Sequence, residues 1–198
     1  MLSQGIAGPR FEKPEEVVEW MGAMQAQDIR AAKWAVGLRI ANPSLTAVQE
    51  ALDTGRILRL HVMRPTWHYI PGRDIKWMTG LSTKGLLSKF RFYAKHFSLT
   101  EEDFLRSKPQ IEEVLSGQHL TSLEVLEQLH SKGIALDEPI VKMYLSFGEA
   151  DGTVCSGIEK NGKHTYALTC ERIPDAIELS HEEALAELTR PVSYTHLT

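Results

Sequence analysis

The sequence predicts a mainly α-helical chain with a few short β-strands, arranged as a helical N-terminal subdomain followed by a helix-turn-helix domain with a β-hairpin wing. Three observations predict it. Apolar residues recur at helical spacing behind recognisable capping residues along most of the chain. Two strand-like runs, Ile57–Met63 and Thr66–Ile70, flank an Arg64-Pro65 corner. After Ser98, three capped helix starts precede two further strand-like runs joined through Asn161-Gly162, a strong hairpin signal.

At 198 residues the chain can bury one good core, or one core with a satellite. Its 42% hydrophobic and 24% charged content is that of an ordinary soluble globular protein. No apolar run approaches a membrane span, and the N-terminus lacks a basic-then-apolar signal pattern, so a cytoplasmic protein is expected. Cys155 and Cys170 fit no ligand motif and read as reduced thiols.

Taken in order, Leu2 to Ala7 looks like the stump of a helix and Gly8-Pro9-Arg10 a turn; Pro14, Glu15 and Glu16 then open the first good helix. Val17, Trp20, Met21 and Met24 share one stripe, and continuing that helix would bring Asp28 onto the stripe, so a break is expected near Gln25. In an extended segment Gln25 and Gln27 point the same way, and two carboxamides aimed at one point offer donors and acceptors without charge. A capped helix end beside a polar turn accounts for the same spacing. Ala31 to Ile40 reads as a second helix with Trp34, Val36 and Leu38 available for the core. A third, capped by Ser44 or Thr46, runs to about Asp53 and stops at Gly55.

On the first strand Leu58, Leu60 and Val62 share a face and Arg59 and His61 the other; Thr66 and His68 point together on the second, which gathers Arg59, His61, Thr66 and His68 on a polar surface. His61, His68 and His96 match no standard metal-ligand spacing, so no metal is expected. The net charge of −4 argues against a nucleic-acid partner, but its distribution argues for one: Thr54–Ser98 holds nine Lys/Arg and one acid, a local balance of +8 against −12 elsewhere. Arg73 to His96 reads as a helix in which Lys84, Lys89, Arg91 and Lys95 interleave with Phe90, Phe92, Tyr93 and Phe97. Bases on such a helix track phosphates and exposed aromatics stack on unpaired bases; the alternative is solvated lysines over buried rings. Arg56 and Arg59 join the DNA-binding candidates.

Thr100-x-x-Asp103, Thr121-x-x-Glu124 and Ser180-x-x-Glu183 are capping-box starts. Pro109 is expected to split the first of these helices, which resumes to Leu115. Asp137 caps the helix carrying Ile140, Val141, Tyr144 and Leu145 inward, and strands at Thr153–Ile158 and Lys163–Leu168 complete a winged helix. Its third helix would be the DNA reader, yet the face expected to be exposed, Glu138, Lys142, Ser146 and Glu149, is net acidic and suits a scaffold better. The boundaries expected are 1–98 for the helical subdomain, 99–175 for the winged helix and 176–190 for the start of a further helical element. Residues 191–198 read as a non-native tail, and the chain as part of a longer one.

Gly5-Ile6-Ala7-Gly8-Pro9-Arg10-Phe11, Met24-Gln25-Ala26-Gln27-Asp28, His61-Val62-Met63-Arg64-Pro65-Thr66-Trp67-His68 and Asp151-Gly152-Thr153-Val154-Cys155-Ser156-Gly157 together resemble a bacterial family, the winged-helix DNA glycosylases of the AlkZ type. The resemblance covers about Leu2 to Arg190. It implies a monofunctional, cofactor-free, monomeric repair enzyme acting on damaged double-stranded DNA in the cytoplasm, at the nucleoid, without membrane association. Gln25 and Gln27 would be its catalytic pair, positioning water to cut the glycosidic bond of N7-alkylated purines, interstrand crosslinks among them. Asp28, Arg64, Thr66 and His68 would be active-site neighbours. Two other readings stand beside it: a non-catalytic winged-helix DNA-binding or regulatory protein, and a protein-interaction module built on the acidic winged helix. Family members carry further winged helices and a small β domain beyond Arg190.

Overall fold

A computed structural model of the chain describes residues 5–6 and 11–196. The expected turn at Gly8-Pro9-Arg10 and most of the Leu2–Ala7 segment lie outside the described residues. The architecture is mainly α-helical with two small antiparallel sheets.

Helix α1 (Pro14–Met21) has Pro14 at its first position, where a missing N–H is tolerated, and Glu16 accepts from the backbone of Glu12 and Lys13 at 3.0 and 3.2 Å. It ends at Gly22 with φ 74°, a left-handed angle that favours glycine. The break therefore falls earlier than the stripe through Met24 suggested, and Met24 enters strand β1 (Met24–Gln25) instead. Asp28 caps α2 (Ile29–Gly37), and Ser44 caps α3 (Leu45–Asp53). In α2 the buried stripe is Ala32 and Val36, spaced i, i+4; Trp34 and Leu38 lie 200° away from it and are exposed, contrary to the sequence expectation. Three alternate residues cannot share one helix face.

Strands β2 (Ile57–His61) and β3 (Trp67–Pro71) form the expected pair, and β1 joins the far edge of β3 in the order β1-β3-β2. One face carries Leu58, Leu60 and Ile70 into a core shared with helix α4 (Ile75–Ala94). On the other, Met24, Ile57 and Tyr69 pack against α1, α2 and α3.

Thr100 and Thr121 form capping boxes at the starts of α5 (Glu101–Leu115) and α6 (Ser122–Ser131). Pro109 does not split α5. It sits on the exposed side, where a freed carbonyl meets water, while Phe104, Ser107, Ile111, Val114 and Leu115 hold the other side in the core. Helix α7 (Glu138–Asp151) is the third helix of the winged helix. Strands β4 (Val154–Ser156) and β5 (Tyr166–Leu168) form the wing, closed by reciprocal backbone bonds between Lys160 and Lys163 with Asn161 and Gly162 at φ 52° and 76°. Leu86, Phe90 and Ala94 of α4 belong to the same core as α5, α6 and α7, so α4 spans the two halves of the chain. The short α8 (Thr169–Arg172) leads to α9, whose Ser180–Glu183 cap is formed and which runs from His181 to His196, past Arg190. Among the described residues no helix is long and apolar enough to cross a membrane.

Candidate active site

Around the first sheet the chain sets two uncharged carboxamides outside and an arginine inside. Along Met24, Gln25, Ala26 and Gln27 burial alternates, with Met24 and Ala26 in the core and both glutamines exposed. The extended ladder imposes that alternation: Gln25 pairs with His68, and the Ala26 N–H continues the pairing to the Trp67 carbonyl at 2.7 Å. Gln25 and Gln27 thus lie on one side of an edge strand. Gln25 Oε1 accepts from the Arg64 guanidinium at 3.2 Å, and Gln27 Oε1 from the Trp67 backbone N–H at 3.3 Å.

The strand is clamped from below by Arg59. This side chain is 8% exposed; its Nε donates to the Ala26 carbonyl at 2.9 Å and its guanidinium to the Gln27 carbonyl at 3.3 Å, while the same group lies 4.2 Å over the Trp67 ring. Burial pulls its pKa below the usual arginine value, opposed chiefly by Tyr69 and Glu149. It is therefore turned to the protein's own backbone and away from solvent, not set on a DNA-facing surface.

The expected grouping of Arg59, His61, Thr66 and His68 on one polar surface is not what the structure shows. Arg59 and His61 stand opposite Tyr69 and Trp67 on a buried face, whereas His68 stands opposite Leu60 and Gln25 on the other. His68 donates from Nδ1 to the Thr66 carbonyl at 2.8 Å, and burial holds it below the ordinary imidazole range, so it is neutral. The Thr66 hydroxyl is buried without a hydrogen-bond partner among the described residues. Asp28 accepts from the Ala31 N–H at 2.9 Å and serves as a helix cap. Met63, which opens the turn to Arg64, has φ 64° and donates its N–H to Ser82 of α4 at 2.8 Å; a side chain held in that region stores strain in the residue before Arg64.

The family model described as DNA glycosylase AlkZ-like matches residues 18–192. The chain belongs to that family. Among solved structures it is similar to Streptomyces sahachiroi DNA glycosylase AlkZ, with a TM-score of 0.76 at 19% sequence identity, covering 99% of this chain and 55% of that one. The likeness shows a shared fold, and this chain spans about half the length of that relative. No curated protein matches the chain in sequence.

The basic candidates of this AlkZ-like chain separate into two groups. Arg56 bonds Glu15 and Glu50, each at 3.2 Å, on the α1–α3 side. Lys84, Lys89 and Arg91 on α4 and Lys95 just after its end are all exposed, and among the described residues only Arg91 of these four forms a salt bridge, to Glu101 at 2.7 Å. Of the interleaved rings Phe90 is core, while Phe92, Tyr93 and Phe97 are exposed and Phe92 touches Tyr93 and His96 edge-on.

Two further residues escaped the sequence reading. Glu149, expected on the exposed face of α7, is fully buried and pairs with His61 at 2.6 Å. His164, from the wing, meets the Trp67 ring edge-on at 4.6 Å, and burial pushes its pKa down to about 3. Glu149 was detectable, because it continues the buried stripe of Val141 and Leu145 at i+4 and i+8.

Proposed function

We propose that the chain acts as the N-terminal part of a DNA glycosylase that hydrolyses the N-glycosidic bond of N7-alkylated purines, with Gln25 and Gln27 as its water-positioning pair. The observation that carries this reading is the edge strand itself. Two carboxamides face the same side of an exposed strand whose backbone is clamped on the opposite side by Arg59.

The chemistry needs little acid or base. An N7-alkylguanine carries positive charge, so when the C1′–N9 bond breaks its electron pair returns to the ring and the base leaves neutral. A water oxygen then bonds to C1′ of the oxocarbenium-like sugar and releases its proton to solvent. Carboxamide oxygens orient that water and stabilise the sugar's charge without neutralising it. Carboxamide NH₂ groups and the Arg64 guanidinium beside Gln25 can hold a backbone phosphate. The exposed bases of α4, which reaches the Met63 turn through Ser82, extend a phosphate track away from the site. Crosslinked purines are substrates on the same chemistry.

The bonds from Arg64 and Trp67 to the two glutamine oxygens favour a second reading, a DNA-binding protein in which the pair is structural. Release of 7-methylguanine from methylated DNA under single-turnover conditions separates the two. Gln25→Ala and Gln27→Ala should each slow release by the equivalent of about 2–4 kcal/mol with DNA affinity nearly unchanged, since a water-orienting group acts at the transition state. Release at the parental rate by both variants would establish the structural reading.

A further inference from the structure

The pair Glu149–His61 lies outside everything the proposed chemistry uses, yet it ends at the Gln-x-Gln strand. Glu149 comes from α7, the helix that in a DNA-reading winged helix would enter the groove. Here its carboxylate is fully buried against β2, with Oε2 at 2.6 Å from His61 Nδ1 and Oε1 without a hydrogen-bond partner among the described residues. The His61 ring lies on Trp67, centroids 4.1 Å apart, and takes the edge of Phe90 on another side. Trp67 is further enclosed by Arg59 at 4.2 Å and by His164 at 4.6 Å. The backbone of the same Trp67 accepts from Ala26 and donates to the Gln27 side chain, and Arg59 holds the carbonyls on either side of that bond.

A buried carboxylate with one oxygen unpaired costs free energy that an apolar residue would not, so a scaffold role alone gives no reason for it at this position. What it fixes is orientation. The imidazole nitrogen bonded to Glu149 sets the ring plane, the ring plane sets the seat of the indole, and the indole residue is the one whose amide holds the Gln27 carboxamide.

Resting on the reading of Gln25 and Gln27 as a water-positioning pair, we propose that Glu149 is a positioning residue for Gln27, acting through His61 and Trp67. The winged helix thereby contributes to the reaction from behind the active strand rather than from the DNA groove. Arg59 completes the assembly, since it touches the Trp67 ring and both carbonyls and its charge faces Glu149.

Glu149→Gln keeps the side chain's size but replaces the carboxyl that meets His61 with an amide, and His61→Phe keeps a ring on Trp67 without the nitrogen. Each should lower the single-turnover rate of 7-methylguanine release about tenfold or more while DNA affinity stays within about twofold. In a Gln27→Ala background Glu149→Gln should cost nothing further, because groups acting through one another are not additive. An equal loss in both backgrounds would overturn the proposal, since a purely structural Glu149 would give it. Nuclear magnetic resonance supplies a readout independent of activity. Glu149→Gln should move the Trp67 amide and the Gln27 carboxamide signals, and Lys142→Gln, on the exposed side of the same helix, should not. If those signals stay put in Glu149→Gln, the coupling is refuted whatever the activity. If they move but the parent chain releases no base, the coupling stands and the glycosylase reading falls.

Discussion

Helices α4 and α7 lie against each other and present their side chains in the opposite way to that expected of a winged helix. The third helix of such a domain ordinarily presents side chains to DNA. In this chain its residues go inward: Val141, Tyr144, Leu145 and Phe147 into the core, Glu149 to His61, and the exposed Lys142 into an i, i+4 pair with Glu138 at 2.6 Å. Helix α4, which precedes the domain, and the turn that follows it show solvent Lys84, Lys89 and Lys95 with no ion pair among the described residues, and the three open aromatic rings of Phe92, Tyr93 and Phe97. The difference teaches that a winged helix can turn its third helix inward for packing while the unneutralised positive charge gathers on a neighbouring helix, the one that the proposed function assigns to DNA. Either side of that contrast can be broken separately.

The largest effect is expected inside. Arg59→Met leaves the buried Ala26 carbonyl and the part-buried Gln27 carbonyl without their donor and removes the cation over Trp67. A cost of about 3 kcal/mol in urea unfolding is expected, against less than about 0.5 kcal/mol for Arg64→Met, five residues on and exposed. Similar costs would mean that the clamp contributes nothing to the strand.

Next comes the basic helix. Reversing Lys84, Lys89 and Lys95 to Glu should weaken duplex binding roughly tenfold to a hundredfold at low salt. It should also flatten the dependence of log K on log salt by about 0.9 for each phosphate that is no longer neutralised. The same change at Lys142 should do much less, because that charge is already paired. Equal effects per residue would restore α7 as the reading helix.

A third test uses pH on the buried ladder. His164 is held near pKa 3 by burial, with Arg59 and His61 adding to the depression, while an unfolded histidine titrates near its ordinary 6.5. Below pH 6.5 the unfolded chain therefore binds a proton that the folded chain refuses. This contribution to stability is present in full above 6.5 and is lost as pH falls toward 3. At pH 4.5 the loss should be about 2 kcal/mol, allowing for the residue's partial exposure. In His164→Phe the fall in unfolding free energy between pH 7 and 4.5 should be smaller by that amount. An unchanged slope would show that His164 does not sit neutral among those rings.

These expectations also mark what the sequence disclosed. Capping boxes at Thr100, Thr121 and Ser180 and the Asn161-Gly162 turn were legible, because each is decided by groups within a few residues of one another. So was the shared direction of Gln25 and Gln27, which follows from alternation along an extended strand. Pro109 and Trp34 misled for opposite reasons. The proline's cost was outweighed by the buried side of α5, and the tryptophan's hydrophobicity was outweighed by its place on a face that is 62% exposed at Trp34. The interior of the site was not legible by local rules. Glu149 and His61 are 88 residues apart and meet only because α7 docks on β2. Arg59 looked like surface charge because its carbonyl partners lie 33 and 32 residues upstream, in a segment whose bend depends on Gly22.

The smallest effect bears on the α4 tip. Phe92 is 62% exposed and touches Tyr93 and His96 only edge-on, so Phe92→Ala should leave unfolding free energy within about 0.5 kcal/mol of the parent. An open ring between Lys89 and Lys95 can instead stack on a base that has left its partner, an interaction on the order of 1–3 kcal/mol per base in single-stranded binders. Part of that is offset here, since a duplex must first be opened. The expected outcome is a loss of about twofold to threefold in affinity for DNA with an unpaired or mismatched base, and none for fully paired duplex. Fluorescence anisotropy on the two DNAs in parallel decides it. An equal loss on both would assign the ring to backbone packing, and no loss on either would leave α4 binding DNA through its lysines alone.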